Sequence, residues 1–331
     1  MRNLRAESTD GHAVLPLIVR FPGLARIPRV ALGDYPTPIV AAHGVAPLLW
    51  MKRDDLSATP VGGNKARALE FLLGDVKRGD AVVTVGSAGS THALAVAAYG
   101  RQLGARTFIG RWRQEMNDTA TVVSAQIERV ADAAPVFRSP VGAYAWALGK
   151  RLGGSRWIAA GGSTPLGILG HVNAGLELID QIDAGAMPAP AFVVAPLGTG
   201  GTVAGIALAF SIAERPIIVV GARVVPRIVA RASRVSRLAD ATARLIERWS
   251  GLPVPRVRRS SIMLAHETYG GAYGRVTEAA QLAAERMRVA AGVTLDPTYS
   301  AKALVRAIAL GANTPTLFWL TFDPRVVTNR T

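Results

Sequence analysis

Lysine occurs only at positions 52, 65, 77, 150 and 302 of a chain otherwise committed to arginine. Arginine keeps its proton at any ordinary pH, whereas a partly buried lysine can lose it and serve as an amine nucleophile. Lys65 sits in Gly62-Gly63-Asn64-Lys65-Ala66-Arg67, where a strand pattern ends and a helical one begins. Glycines there allow a tight turn and a close approach to a flat ligand; a helix cap with an exposed lysine is the blander reading. A second element, Leu197-Gly198-Thr199-Gly200-Gly201-Thr202-Val203, lies directly after a strand pattern and directly before a helix. Its amides and helix dipole form an anion cradle, to which Thr199 and Thr202 can add hydroxyls. It has neither the Lys-Ser/Thr ending of a nucleotide loop nor the spacing of a dinucleotide fingerprint, so a single phosphate monoester is the better guest.

Three further segments carry candidate groups. Gly86-Ser87-Ala88-Gly89-Ser90-Thr91-His92 opens another helix, with hydroxyls and free amides able to hold a carboxylate. His92 reads as a helix residue lining a site rather than a general base, because no nucleophile-base-acid trio accompanies it. No spaced set of histidines and carboxylates marks a metal site. Tyr269-Gly270-Gly271-Ala272-Tyr273-Gly274 offers two phenols, which either pack or act as acid or base. Leu295-Asp296-Pro297-Thr298-Tyr299-Ser300-Ala301-Lys302 is a turn leading into a C-terminal helix.

The elements that must position these groups alternate in type. Leu48 to Lys52, Ala81 to Val85, Thr107 to Ile109, Arg156 to Ala160, Phe192 to Ala195 and Pro216 to Gly221 read as strands. Asn64 to Arg78, Ser90 to Leu103, Asp118 to Val130, Gly170 to Ile182 and Pro226 to Trp249 read as helices. Strand, helix, strand in series predicts crossover connections and an α/β fold with an open, mostly parallel sheet. Such sheets bind ligands where loops leave the carboxyl ends of the strands. At 331 residues the chain is long enough for two lobes, each with its own core.

Composition bounds the function. Half the residues are hydrophobic and 18% are charged, the mark of a globular chain. The absence of cysteine removes disulfides, thiolate nucleophiles and cysteine metal sites, and fits a reducing cytoplasm. The net charge of +15 comes from scattered arginines with no nucleic-acid motif, so no nucleic-acid partner is expected. A positive field does draw in anionic small molecules. Met1 to Gly23 shows one short apolar patch and no cleavage pattern, so no signal segment is expected. Ala191 to Ala213 is uncharged and nearly of spanning length, but Pro196 and glycines 198, 200 and 201 suit a strand, a loop and a helix, not a membrane span.

Taken in order, these segments resemble the D-cysteine desulfhydrase and aminocyclopropane-carboxylate deaminase family of pyridoxal-phosphate enzymes. The likeness begins at Ile27-Pro28-Arg29-Val30-Ala31-Leu32-Gly33-Asp34-Tyr35-Pro36-Thr37-Pro38 and continues through Trp50-Met51-Lys52-Arg53-Asp54-Asp55-Leu56 to Gly-Gly-Asn-Lys. It then runs through Gly161-Gly162-Ser163-Thr164-Pro165-Leu166-Gly167-Ile168-Leu169-Gly170 and the threonine-glycine loop to Asp296-Pro297-Thr298-Tyr299. The resemblance implies the tryptophan-synthase-β-like fold (fold type II), with a large lobe from residues 1–66 and 166–331 and a small inserted lobe from 67–165. Lys65 would carry the cofactor, with Asn64 and Thr91 beside it and Gly198, Thr199, Gly200, Gly201 and Thr202 at its phosphate. Ser300 would meet the pyridine nitrogen. Ser90, Thr91 and His92 would take the substrate carboxylate, Tyr269 and Tyr273 would face the substrate, and Thr321 would contact it. A cytoplasmic homodimer acting on a small amino acid is expected on the same ground.

Ser300 and Thr321 resemble the desulfhydrase branch, since the deaminase branch has glutamate and leucine there. A neutral hydroxyl at the pyridine nitrogen makes a weaker electron sink than a carboxylate, which suits loss of a β-substituent after Cα deprotonation. The expected activity is therefore elimination from D-cysteine or a related β-substituted amino acid, giving pyruvate, ammonia and sulfide. A cyclopropane-ring-opening deaminase, a β-replacement enzyme and an inactive binding homologue are the alternatives. The chain departs from the family pattern in four places. Gly89-Ser90-Thr91-His92 replaces Gln-Ser-Asn-His, the tyrosine loop is one residue shorter and lacks its proline, Phe322-Asp323 replaces Gly-Gly, and His171 replaces a tyrosine.

Overall fold

The computed structural model describes residues 15–328. Most of the N-terminal stretch in which no signal segment is expected lies outside the described residues. A short helix α1 (Pro16–Arg20) leads to β1 (Ile39–Ala41), β2 (Leu49–Arg53) and α2 (Asn64–Leu72). Next come β3 (Ala81–Ser87), α3 (Thr91–Gln102), β4 (Arg106–Trp112), α4 (Asp118–Val130), β5 (Val136–Phe137), α5 (Pro140–Leu152) and β6 (Arg156–Trp157). The chain continues through α6 (Pro165–Asp183), β7 (Phe192–Leu197), α7 (Gly201–Ile212), β8 (Ile218–Arg223), α8 (Ala232–Ser250) and β9 (Ile262–Ala265). It ends with α9 (Glu278–Ala291), α10 (Ser300–Gly311), β10 (Thr316–Leu320) and α11 (Arg325–Thr328).

Two open sheets result. One has six strands in the order β1-β2-β10-β7-β8-β9, all parallel except β1, which runs antiparallel to β2. The other has four parallel strands in the order β5-β4-β3-β6. Every strand of the second sheet falls between β2 and β7 in sequence, so one sheet is interrupted by the other. The nearly spanning apolar stretch divides into β7, a glycine turn and α7, a helix with buried residues all around it. No helix among the described residues is long and apolar enough to cross a membrane.

Several sequence boundaries shift. The helix expected over 64–78 stops at Leu72, where the Val76 amide closes a tight turn on the Leu73 carbonyl. The strand expected over 156–160 keeps only Arg156 and Trp157, since Ala160–Gly162 turn as a 3-10 helix. The helix expected from Pro226 starts at Ala232, after a turn in which the Val229 and Ala230 amides bond the Pro226 carbonyl. Strand β10 was not expected, although it is central. All five of its residues are buried between β2 and β7, so the run has no polar alternation to read.

A buried ion network ties the elements that bear the site. Arg67 on α2 donates to both Asp54 carboxylate oxygens (2.9 and 2.7 Å) and to Glu177 on α6 (2.9 and 3.1 Å). Lys52 on β2 donates to Glu177 at 2.6 Å, and the Trp319 indole on β10 donates to Asp54 at 2.8 Å. Burial pushes both carboxyls up, but the Arg67 guanidinium outweighs it and holds them below the usual carboxylate range. Ions this deep persist only when fully paired. Here the pairing fixes β2, α2, α6 and β10 against one another.

Candidate active site

The carboxyl ends of the strands converge on a cavity of about 560 Å³. It is lined from the large sheet by the start of α2, the loop after β7, the segment after β8 and Thr321 after β10. The small sheet adds the turn after β3, the end of β4 and the first turn of α5. This is the position at which open parallel sheets bind ligands.

Lys65 is the second residue of α2. The turn that presents it needs glycine: Gly63 has φ +95, and a Cβ there would come within 2.2 Å of the Thr321 carbonyl oxygen. That carbonyl instead accepts from the Asn64 amide at 3.2 Å, pinning the helix start to the end of β10. Burial lowers the Lys65 pKa to about 8, and no carboxylate offsets that loss. The side chain makes no hydrogen bond or ion pair among the described residues. It is a cavity-lining amine that gives up its proton more readily than an exposed lysine.

The turn after β7 is held for an anion. Gly200 caps α7 in the left-handed region at φ +99, and the first amides of this twelve-residue helix lack helical acceptors. Asn64 Nδ2 donates to Thr202 Oγ1 at 2.7 Å, linking the lysine segment to the turn. Thr199 Oγ1 lies 2.6 Å from Ser163 Oγ. Arg234, near the start of α8, lines the same cavity and donates from Nε to the Thr199 carbonyl at 3.0 Å. A cation in the first turn of a helix opposes the dipole, so its place here is better explained by the cavity than by the helix.

On the opposite wall, Ser90 caps α3 by accepting from the Ala93 amide at 3.3 Å, which leaves its own proton to donate. The Thr91 and His92 amides open that helix, and both residues line the cavity. Thr84 Oγ1 donates to the Ile158 carbonyl at 2.8 Å, so His92 Nε2, 3.2 Å away, must be the donor to Thr84. Burial, then Lys65, lowers the His92 pKa to about 3. Its Nδ1 is therefore a bare acceptor, buried and without a partner. His92 is thus neutral, in keeping with a lining role.

The phenols are arranged differently from the expectation. Tyr273 lines the cavity, accepts from Ser87 Oγ at 3.3 Å and shares a very short hydrogen bond with Tyr299. Burial raises both phenol pKa values, so both remain protonated. Tyr269 does not line the cavity: its ring lies against the Arg223 guanidinium, 4.2 Å away, and its carbonyl accepts from Lys302 at 2.7 Å. Its place at the cavity is taken by Tyr299, to which sequence reasoning gave no role. The available signal was its position immediately before Ser300 at a helix start. Ser300 is fully buried and does not line the cavity. Asp296 accepts from the Thr298, Tyr299 and Ser300 amides at 3.1, 2.6 and 2.9 Å, and its carboxylate also interacts with the Ser300 side chain. Lys65, Asn64, Ser90, Thr91, His92, the turn 198–202, Tyr273 and Thr321 all line one cavity. Trp112, Arg113, Tyr144 and Arg234 line it too, with no signal in the sequence beyond Arg234's opposition to the helix dipole.

A model of the family described as "Pyridoxal-phosphate dependent enzyme" matches residues 30–320. The chain belongs to that family. Among the relatives of this pyridoxal-phosphate-dependent enzyme is the nocardicin C-9' epimerase of Nocardia uniformis subsp. tsuyamanensis. It is 33% identical over 324 residues, covering 91% of this chain and 94% of the relative. A D-cysteine desulfhydrase of Klebsiella pneumoniae is 28% identical over 318 residues, 86% and 89% of the two chains. The crystal structure of an ACC deaminase homologue superposes with a TM-score of 0.77 at 26% identity, covering 93% of this chain and 94% of that one. The enzyme has the tryptophan-synthase-β-like fold, type II among pyridoxal-phosphate enzymes, and falls in the ACC deaminase and D-cysteine desulfhydrase group.

The residues present fit pyridoxal phosphate. A cavity-lining amine lowered to about 8 and a glycine turn able to hold a phosphate are two groups the cofactor needs and the protein leaves unused.

Proposed function

We propose that this enzyme eliminates the β-substituent from D-cysteine or a related β-substituted amino acid, giving pyruvate, ammonia and sulfide. The observation that carries the reading is Lys65, an amine lowered to about 8 with no partner on the cavity wall. Pyridoxal phosphate supplies, when bound, the sink for the electron pair left by the departing Cα proton. Lys65 and the turn 198–202 would hold it, with Asn64 and Thr91 at its flank and Ser300, next to the wall residue Tyr299, as the expected partner of its ring nitrogen. The Thr91 and His92 amides and the Ser90 hydroxyl bind the substrate carboxylate. The Lys65 amine takes the Cα proton. The Cβ–S bond then breaks with its electron pair on sulfur, and Tyr273 and Tyr299 can donate a proton to the leaving group. Water hydrolyses the released enamine to pyruvate and ammonia. The neutral hydroxyl of Ser300, where a carboxylate would deepen the sink, supports elimination over ring opening.

A division into a large lobe of 1–66 with 166–331 and a small lobe of 67–165, a homodimer and a cytoplasmic setting belong to the same proposal. Incubation of the cofactor-loaded enzyme with D-cysteine should release sulfide and pyruvate in equal amounts, and Lys65→Ala should release neither. Oxobutanoate from the cyclopropane amino acid, with no sulfide from D-cysteine, would replace elimination with deamination.

Epimerisation at Cα is the second reading. The epimerase is 33% identical over 91% of this chain, and the phenol pair gives the cavity a proton donor besides Lys65. Loss of optical rotation with no sulfide or keto acid would favour it.

A further inference from the structure

The cavity wall divides into two parts of different chemistry. The inner part, from Lys65 to Thr321, accounts for a cofactor and the amino and carboxyl groups of a substrate. The outer part comes from other segments: Trp112 and Arg113 at the end of β4, Pro140 and Tyr144 at the start of α5, and Pro226 and Val229 after β8. A cysteine side chain ends in a single sulfur atom and needs none of these.

The outer wall is built for something flat and apolar. The Trp112 and Tyr144 rings lie near-parallel at 18°, with centroids 6.3 Å apart, and Tyr144 is 43% exposed. Pro226 and Val229 line the same cavity from the other sheet. Apolar surface left open beside a cavity marks a ligand-contacting face. The charge is one-sided as well. No aspartate or glutamate lines the cavity, while Lys65, Arg113 and Arg234 do. Arg234 is engaged with the Thr199 carbonyl. The Arg113 side chain has no hydrogen bond or ion pair among the described residues, so its guanidinium is available to an anion arriving at the mouth.

We infer that the substrates are amino acids whose side chain extends beyond Cβ as an aromatic or apolar body ending in an anionic group. The body lies against Trp112 and Tyr144, and the anion meets Arg113. The inference rests on the cofactor reading of the inner wall and narrows the substrate class of that same site.

The test is titration of the cofactor-loaded enzyme with S-methyl-, S-benzyl- and S-(4-carboxybenzyl)cysteine, each as both enantiomers. The visible spectrum of the bound cofactor reports binding, and pyruvate reports turnover. Half-saturation should fall about tenfold from methyl to benzyl, as the ring is buried, and about tenfold again with the carboxylate. Trp112→Ala and Tyr144→Ala should each bring the methyl-to-benzyl ratio towards one. Arg113→Gln should abolish only the further gain from the carboxylate. Tyr144 is partly exposed, so its variant keeps the test sound should Trp112→Ala fold poorly. Affinities that stay level or weaken as the side chain lengthens would overturn the inference while leaving elimination standing if pyruvate still appears. Tight binding of the carboxybenzyl compound without pyruvate would uphold the inference and overturn elimination. A spectrum unmoved by all three compounds would overturn both.

Discussion

Lys65 illustrates how burial converts an ordinary side chain into a reagent, and the conversion carries a stability cost that can be measured. Its folded pKa of about 8 lies below the unfolded value near 10.4. Between these values the unfolded chain binds more protons, so stability rises with pH across that window; below about 8 the full penalty is present. Lys65→Met in the cofactor-free protein should therefore raise unfolding stability at pH 7 by about 1–3 kcal/mol. The gain should fade above pH 8 and vanish beyond about pH 10.5, as read by urea unfolding across pH. A gain that ignores pH would mean that the amine is solvated. Tyr299 supplies the second lesson at this scale. A phenol's chemistry depends on its surroundings: the Tyr269 ring lies against Arg223, whereas the Tyr299 hydroxyl bonds Tyr273 at the cavity.

Turns between elements place these groups, and two substitutions probe them. Gly63→Ala puts a methyl within 2.2 Å of the Thr321 carbonyl oxygen at a positive φ, so α2 must shift relative to β10. We expect a loss of about 2–4 kcal/mol by thermal unfolding, with cofactor uptake impaired in whatever remains folded, because Lys65 moves with the helix. At the other cradle, Arg234→Gln removes a positive charge beside the turn 198–202. Pyridoxal-phosphate affinity should fall about tenfold, while uptake of unphosphorylated pyridoxal should change little, followed by visible absorbance. An equal loss for both would show that Arg234 only braces the Thr199 carbonyl.

At the scale of the whole molecule, the network of Lys52, Asp54, Arg67 and Glu177 joins β2 and α6 to α2, the helix that presents Lys65. Glu177→Gln leaves Arg67 and Lys52 short of a counter-charge in a dry interior and should cost about 3–5 kcal/mol in chemical denaturation. Asp54 and Glu177 have depressed folded pKa values. Their contribution is full above the unfolded values near pH 4 and is lost as the pH falls through the lowered folded values, so the variant should lose part of the wild-type acid transition. Much of this molecule follows from local pattern alone. Alternating strand and helix periods predict an open parallel sheet. A glycine pair at a helix start marks Lys65, and a glycine turn between strand and helix marks the anion cradle, because backbone geometry and helix dipoles act over a few residues. Strand β10 has no such local signature, because a strand buried on both faces shows no alternation. Trp112 and Arg113 come from the end of β4 and Tyr144 from helix α5, and they share the cavity with residues that follow β8 of the other sheet. Their meeting is a property of packing, since only the closing of two sheets brings side chains far apart in sequence to one wall and decides which phenol, which arginine and which neutral histidine face the cavity.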